Sequence, residues 1–137
     1  MKRATRESGQ ATLEYGLAAV VFFTMLLFVF EGGRVLYSYV TVSQAAQAGA
    51  RYGVTHGANS SAPVSAGDYA ALQTAAQGWA TGLDPADLTI TATWNPDNQP
   101  GSTVTVNVAY VTGSLTGLFW SGQTLTLRGQ STMVIQN

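Results

Sequence analysis

The sequence predicts an α+β fold, in which one long N-terminal helix packs on a small three-stranded antiparallel sheet with one additional short helix. Two observations lead to this prediction. An apolar run near the N-terminus leads into a helical pattern that contains no proline before Pro63. Near the C-terminus, three segments alternate between apolar and polar residues, as strands with one buried face do. The length of 137 residues suffices for one membrane helix and one small domain.

The long helix is predicted from about residue 10 to about residue 55, which corresponds to about 65–70 Å. Its first half, residues 11–30, has the ~20 residues that a membrane span needs. In the second half, apolar or small residues recur at intervals of three and four, on one stripe: Val35, Tyr39, Val42, Ala46, Gly49 and Gly53. Polar residues cover the opposite face: Thr41, Gln44, Gln47, Arg51 and Thr55.

A loop over 57–67 and a short amphipathic helix over 67–81 are predicted next. Ser65 and Asp68 have the spacing of a capping box. Apolar residues follow at helical intervals: Tyr69, Leu72, Ala76, Trp79 and Leu83. Gly82 can end this helix, and Pro85 prevents its continuation. We expect the three tryptophans, Trp79, Trp94 and Trp120, in the core.

Three alternating segments predict the strands. Their apolar residues are Leu88, Ile90, Ala92 and Trp94 in the first, Val104, Val106, Val108 and Tyr110 in the second, and Leu125, Leu127, Met133 and Ile135 in the third. Gly129 and Ser131 interrupt the third set, and residues 95–101 form a turn with two prolines. A short apolar insertion, expected to form one helical turn, precedes the last strand: Leu115, Leu118, Phe119 and Trp120. Because three strands need a partner, their apolar face is expected on the upper half of the long helix.

The charges indicate how the chain is oriented. Lys2, Arg3 and Arg6 precede the apolar run, and basic residues favour the cytoplasmic side of a membrane. The expected organisation is therefore a basic leader (1–9), a transmembrane half-helix (10–33), an extramembrane half-helix (34–56) and an α+β head (57–137). The net charge of −1 gives no indication of a nucleic-acid partner. The absence of cysteine excludes disulfides, thiolate metal sites and a cysteine nucleophile.

Glu14 is a charged residue inside the predicted membrane span. A carboxylate in lipid costs about 2.5 kcal/mol or more unless it finds a partner, and it becomes tolerable beside a cation. Two simpler interpretations stay open: a signal anchor with an acid at its interface, and a cleaved secretory signal peptide. The length of the apolar run and the helical stripe beyond residue 34 argue against the signal peptide.

Further polar residues offer weaker signals. Glu31 and Arg34 can approach each other on one helix face at the far membrane interface, or they can be two solvated charges. Gly32 and Gly33 between them weaken the helix and predict a hinge. His56 is expected at the surface. The three acids Asp84, Asp87 and Asp97 lack the density of oxygen ligands of a calcium loop. Neither a metal, a cofactor nor an enzymatic activity is expected.

Three separated stretches carry a family resemblance. They are residues 9–15 (Gly-Gln-Ala-Thr-Leu-Glu-Tyr), 31–37 (Glu-Gly-Gly-Arg-Val-Leu-Tyr) and 44–52 (Gln-Ala-Ala-Gln-Ala-Gly-Ala-Arg-Tyr). In this order along one helix, they resemble the TadE-like proteins, which are minor pilins or pseudopilins of tight-adherence, type IV-like pilus systems. The resemblance implies a pilin-like fold and a subunit that acts by assembly.

The resemblance also implies site residues and partners. A prepilin peptidase would cut between Gly9 and Gln10, and Glu14 would become the fifth residue and pair with the new amine of its own or a neighbouring subunit. The other implied partners are membrane lipid, copies of the chain or other pilins in a helical filament, and an inner-membrane platform with a cytoplasmic ATPase. The chain would leave the inner membrane for a surface pilus that serves adhesion or secretion. The alternative is a membrane-anchored extracytoplasmic binding module that is neither processed nor polymerised.

Overall fold

The computed structural model describes residues 4–115, 117 and 122–136. In chain order the elements are α1 (Ala4–Thr55), α2 (Ala70–Gln77), a 3-10 helix (Pro85–Asp87), β1 (Leu88–Asn95), β2 (Thr103–Gly113) and β3 (Thr124–Val134). They belong to two compact units, Met1–Val35 and Leu36–Asn137. One long apolar helix, one short α-helix and a three-stranded antiparallel sheet confirm the predicted α+β class.

The first unit contains the N-terminal part of α1. The helix begins at Ala4, earlier than the predicted start near residue 10, because the leader contains neither proline nor another strong helix breaker before Gly9. It ends at Thr55, as predicted. The large apolar side chains between Leu13 and Phe30 are exposed to between 37% and 80%. This segment therefore has an apolar surface that the fold itself leaves uncovered.

In the second unit, one face of α1 is buried. Val42, Ala46, Gly49 and Gly53 lie on this face, which confirms the corresponding part of the predicted stripe. Two positions were wrongly predicted. Tyr39 is 50% exposed, whereas Thr41, which we expected on the polar face, is buried. The buried face of the helix is therefore rotated toward Thr41. The Thr41 hydroxyl can be buried because Oγ1 donates to the Tyr37 carbonyl oxygen at 2.9 Å.

The sheet has the strand order β1-β2-β3, and both pairings are antiparallel. The central strand supplies the most deeply buried side chains, Val104, Val106 and Val108, as its alternation predicts. In β3, Leu127 is buried, but Leu125, predicted on the same apolar face, is 38% exposed. Leu125 pairs with Thr112, near the end of β2 and the start of β3.

Small residues bring the helix and the sheet close together. A Cβ atom on Gly49 of α1 would lie 3.0 Å from Val106 Cγ1 on the sheet. A Cβ atom on Gly129 of β3 would lie 2.8 Å from the Val42 carbonyl oxygen and 2.9 Å from Ser43 Cα. Gly129, which interrupts the apolar pattern of the third strand, thus marks the point where β3 meets the helix backbone. This packing confirms that the sheet lies against the upper half of the helix.

The second helix is shorter than predicted, and its predicted capping box was wrong. The backbones of Ser65 and Asp68 bond to each other in both directions, at 3.0 and 3.1 Å. These bonds hold a tight turn, so the helix begins only at Ala70, after an N-cap residue, Tyr69, whose side chain makes no capping hydrogen bond. The helix ends at Gln77, before Gly82, which lies in a later turn with a φ of 78°.

The second helix packs between α1 and the edge of the sheet. Leu72 and Ala76 are buried, and Gln73 Nε2 donates to the Ile90 carbonyl oxygen on β1 at 3.1 Å. Trp79 follows the helix and is 58% exposed, so its predicted core position was wrong. Trp94 is partly buried. Of the predicted apolar insertion, Leu115 is exposed, while Leu118, Phe119 and Trp120 lie outside the described residues.

The predicted turn between β1 and β2 is organised by the Asp97 carboxylate. Asp97 Oδ1 accepts hydrogen bonds from Ser102 Oγ at 2.6 Å and from the Gln99 backbone N–H at 3.0 Å. These bonds favour the charged form, and they hold the pKa of Asp97 below its usual value, the Ser102 hydroxyl having the larger effect. The turn is therefore stabilised by the ionised carboxylate.

This lowered pKa predicts a loss of stability in acid. A carboxyl group with a lower pKa in the folded state stabilises the fold above its unfolded pKa of about 3.9, and the effect disappears as the pH falls through the folded pKa. Wild type should therefore lose more stability between pH 7 and pH 3 than Asp97→Asn. Urea unfolding at both pH values measures this difference. Asp68→Asn, which removes an exposed carboxylate outside this turn, should behave like wild type, and equal losses in all three proteins would contradict the prediction.

Candidate functional site

The residues singled out at the N-terminus lie on one helical segment of α1. Gln10 Nε2 donates to Glu14 Oε1 at 3.3 Å, because residues four apart share a helix face. Gly9 directly precedes them, and a Cβ atom placed on it would have no neighbour within 4 Å. The structure thus brings Gln10 and Glu14 together on an exposed stretch of helix. Their roles in processing and assembly stay predictions.

Glu14 is followed by the uncovered apolar segment. Over Gly9–Thr55 the helix is long and apolar enough to cross a membrane, judged by length and composition. The exposed side chains next to Glu14 include Leu13, Leu17 and Val21. An aqueous environment would leave this surface hydrated at a large cost in free energy, since burial of apolar surface contributes ~25 cal/mol per Å². The segment is thus suited to lipid or to the apolar faces of other helices.

A second pair of charges lies near the end of the first unit. Arg34 donates to Glu31 Oε1 at 2.9 Å across one turn of α1. Glu31 is only 2% exposed, and a buried carboxylate needs such a partner because an isolated buried charge is costly. The helix continues through Gly32 and Gly33, on which added Cβ atoms would meet nothing within 4 Å. The placement of this pair at a membrane interface and the hinge at the two glycines stay predictions.

The remaining polar candidates have local structural roles. The His56 ring stacks on Tyr52 with a centroid distance of 3.8 Å, and its Nδ1 lies 2.9 Å from the Tyr52 carbonyl oxygen. Asp84 caps the 3-10 helix by accepting a bond from the Ala86 N–H at 2.9 Å. In residues 9–115, 117 and 122–136 there is no cluster of three or more His, Asp or Glu residues that could hold a metal ion.

One surface feature was not predicted from the sequence. A groove of about 380 Å³ lies between α1 and α2 and is lined by Ala48, Arg51, Tyr52, Thr55, Ala75 and Trp79. It was missed because helical spacing places Trp79 on the buried face of a longer α2. Since the helix ends at Gln77, the indole lies instead at the surface. We call this feature the α1–α2 groove.

Comparison with known proteins supports the resemblance inferred from the three stretches. Residues 9–51 match the model of a family described as TadE-like protein. The matched segment contains the Gln10–Glu14 contact, the apolar span, the Glu31–Arg34 pair and most of the helix face that packs on the sheet. No curated protein and no solved structure matches the chain. Residues 9–51, the N-terminal segment of this chain, are therefore similar to the TadE-like family.

Proposed function

We propose that this chain is a pilin or pseudopilin subunit that assembles into, or initiates, a Tad-type surface pilus for adhesion or secretion. The observation that carries the proposal is the match of residues 9–51 to the TadE-like family, over a helix whose apolar side chains are left exposed. A subunit of this kind acts by exchanging one apolar environment for another. Lipid covers the segment before assembly, and the helices of neighbouring subunits cover it in the filament.

The proposed topology follows from the distribution of charge. Lys2, Arg3 and Arg6 keep residues 1–9 in the cytoplasm, and residues 10–33 cross the inner membrane. The extramembrane half of the helix, 34–56, and the head, 57–137, lie outside. A prepilin peptidase removes the leader between Gly9 and Gln10, and an assembly platform driven by a cytoplasmic ATPase inserts the processed chain into the filament.

Glu14 acts as the register residue in this proposal. After processing, the chain would begin with the charged amine of Gln10, and this amine would neutralise the carboxylate of its own or a neighbouring subunit. Such pairing offsets the cost of placing a carboxylate in lipid, about 2.5–3.5 kcal/mol at the centre of a span. The contact between the Gln10 and Glu14 side chains, at 3.3 Å, supports a common location for the two groups.

The proposal is tested by shearing cells and following the chain in the surface and membrane fractions. We expect the chain, with its head intact, in the sheared filaments. When the ATPase of the pilus system is inactivated, we expect the chain to remain in the membrane. Deletion of the gene should abolish or strongly reduce the pili. A chain found only in membranes, in cells that make normal pili without it, would contradict the proposal and favour the anchored binding module.

A further inference from the structure

The α1–α2 groove has the features of an incomplete protein contact. Trp79 is 58% exposed on one of its walls, and Arg51 is exposed on the other. In the part of the chain that the structure describes, no carboxylate lies within 4 Å of the Arg51 guanidinium. Tryptophan and arginine are the residues most enriched among the side chains that dominate binding energies at interfaces. The groove is therefore suited to a partner that offers an apolar group beside a negative charge.

The same chain presents such a group on a rigid, exposed turn. Residues 84–87 (Asp-Pro-Ala-Asp) are all exposed, and we call them the acidic turn. The 3-10 helix Pro85–Asp87 and the bond from the Ala86 N–H to Asp84 fix its conformation. It offers the ring of Pro85 between the carboxylates of Asp84 and Asp87. A preorganised segment loses little conformational entropy when it binds.

The groove and the acidic turn lie at different positions along the axis of α1 in the second unit. Tyr37 Oη donates to the Thr81 carbonyl oxygen at 3.0 Å. Thr81 precedes the acidic turn by three residues, so this turn lies near the start of the α1 segment that belongs to the second unit. Arg51 follows Tyr37 by fourteen residues, or about 21 Å along the helix axis. A contact between Arg51 and the acidic turn therefore joins two copies that are displaced along the helix axis.

We propose that the acidic turn of one copy docks in the α1–α2 groove of a second copy, with Asp87 on Arg51 and Pro85 on Trp79. This occupant is favoured because its carboxylate is opposite in charge to Arg51 and its proline ring offers an apolar surface to Trp79. The two surfaces differ, so the contact is heterologous, and repetition of a contact that does not close gives an open filament. The inference rests on the proposed function, since it assigns the surfaces through which neighbouring heads meet.

Reciprocal charge reversal tests the contact. Arg51→Asp and Asp87→Arg should each lower the amount of chain in sheared filaments by about tenfold, because like charges then face each other, and the double variant should return to within about twofold of wild type. Arg128→Asp is the matched control: this arginine is exposed on the outer face of the sheet, and its reversal should leave assembly unchanged. Circular dichroism of each variant in detergent checks the fold. Failure of the double variant to recover would overturn the proposal and indicate another occupant.

Cysteine cross-linking gives a second measurement, because the natural chain contains no cysteine. A chain carrying Thr55→Cys and Ala86→Cys, oxidised in intact filaments with copper phenanthroline, should form a ladder of disulfide-linked multimers; either single variant should give none. Filaments that contain the double-cysteine chain without a ladder, together with charge reversals that have no effect, would refute the contact and leave the proposed function standing. Absence of the wild-type chain from sheared filaments would refute both.

Discussion

Replacement of Glu14 by alanine is expected to lower the amount of the chain in surface filaments by at least about tenfold, while removal of the leader continues. The reason is electrostatic: the charged amine of the processed chain loses its partner in an apolar bundle, where an unpaired charge is costly. A factor of ten requires only about 1.4 kcal/mol, less than the cost of about 2.5 kcal/mol for an unpaired charged group in lipid. Quantitative blotting of sheared and membrane fractions measures the effect.

Two variants control this experiment. Glu14→Gln preserves the size of the side chain and its ability to accept a bond from Gln10, so a defect in this variant isolates the role of the charge. Glu7→Ala removes a carboxylate that would be lost with the leader, and it should leave the composition of the filament unchanged. Filaments of normal number and length from Glu14→Ala cells would show that Glu14 does not guide assembly.

Replacement of Gly129 by alanine is expected to destabilise the second unit by about 1–3 kcal/mol, the usual cost of overpacking a filled core. The added Cβ would lie 2.8 Å from the Val42 carbonyl oxygen and 2.9 Å from Ser43 Cα, which are backbone atoms and cannot rotate away. Relief of the clash requires that β3 move off the helix, which would also loosen the buried valines of β2. Urea unfolding followed by circular dichroism in detergent measures the free energy.

Gly113→Ala is the matched control for this prediction. Gly113 is also a strand glycine of the same sheet, but an added Cβ atom would meet nothing within 4 Å. Its replacement should change the free energy of unfolding by no more than about 0.5 kcal/mol, as is usual for surface positions. Equal stability of the two variants would show that the helix and β3 are not packed as closely as described.

The elements with a strong period were predictable from the sequence. Strand β2 alternates polar residues with valine from Thr103 to Val108, and its partly exposed and buried positions follow this alternation up to Tyr110. The end of α1 was predictable because the helical stripe stops before a segment rich in glycine and serine. In both cases a local pattern and the tertiary packing favour the same structure.

Positions that depend on tertiary contacts were predicted less well. A polar threonine at position 41 is tolerated in the buried face because its hydroxyl bonds to the backbone of its own helix, which no hydrophobic pattern reveals. The backbone pairing of Ser65 with Asp68 competes with the capping box that the same residue types suggest. It shortens α2 and leaves Trp79 at the surface, so the α1–α2 groove could not be found by spacing alone.

The candidate site near the N-terminus was more accessible to prediction, since it depends on adjacent residues of one helix. The positions of Gly9, Gln10 and Glu14 follow from the sequence, and their common face follows from helix geometry. The burial of Glu31 could not be predicted, because a charged residue beside two glycines is expected to be solvated. Only the three-dimensional packing distinguishes such a buried pair from two surface charges.

The most direct measurement is the intact mass and N-terminal sequence of the chain from sheared surface material and from the inner membrane of the same cells. A processed pilin-like subunit should begin at Gln10 in the sheared fraction, with any precursor that begins at Met1 confined to the membrane. A chain that begins at Met1 and occurs only in the membrane would contradict processing and assembly together. It would leave an anchored module, and the head, residues 57–137, would then have to be tested for ligands.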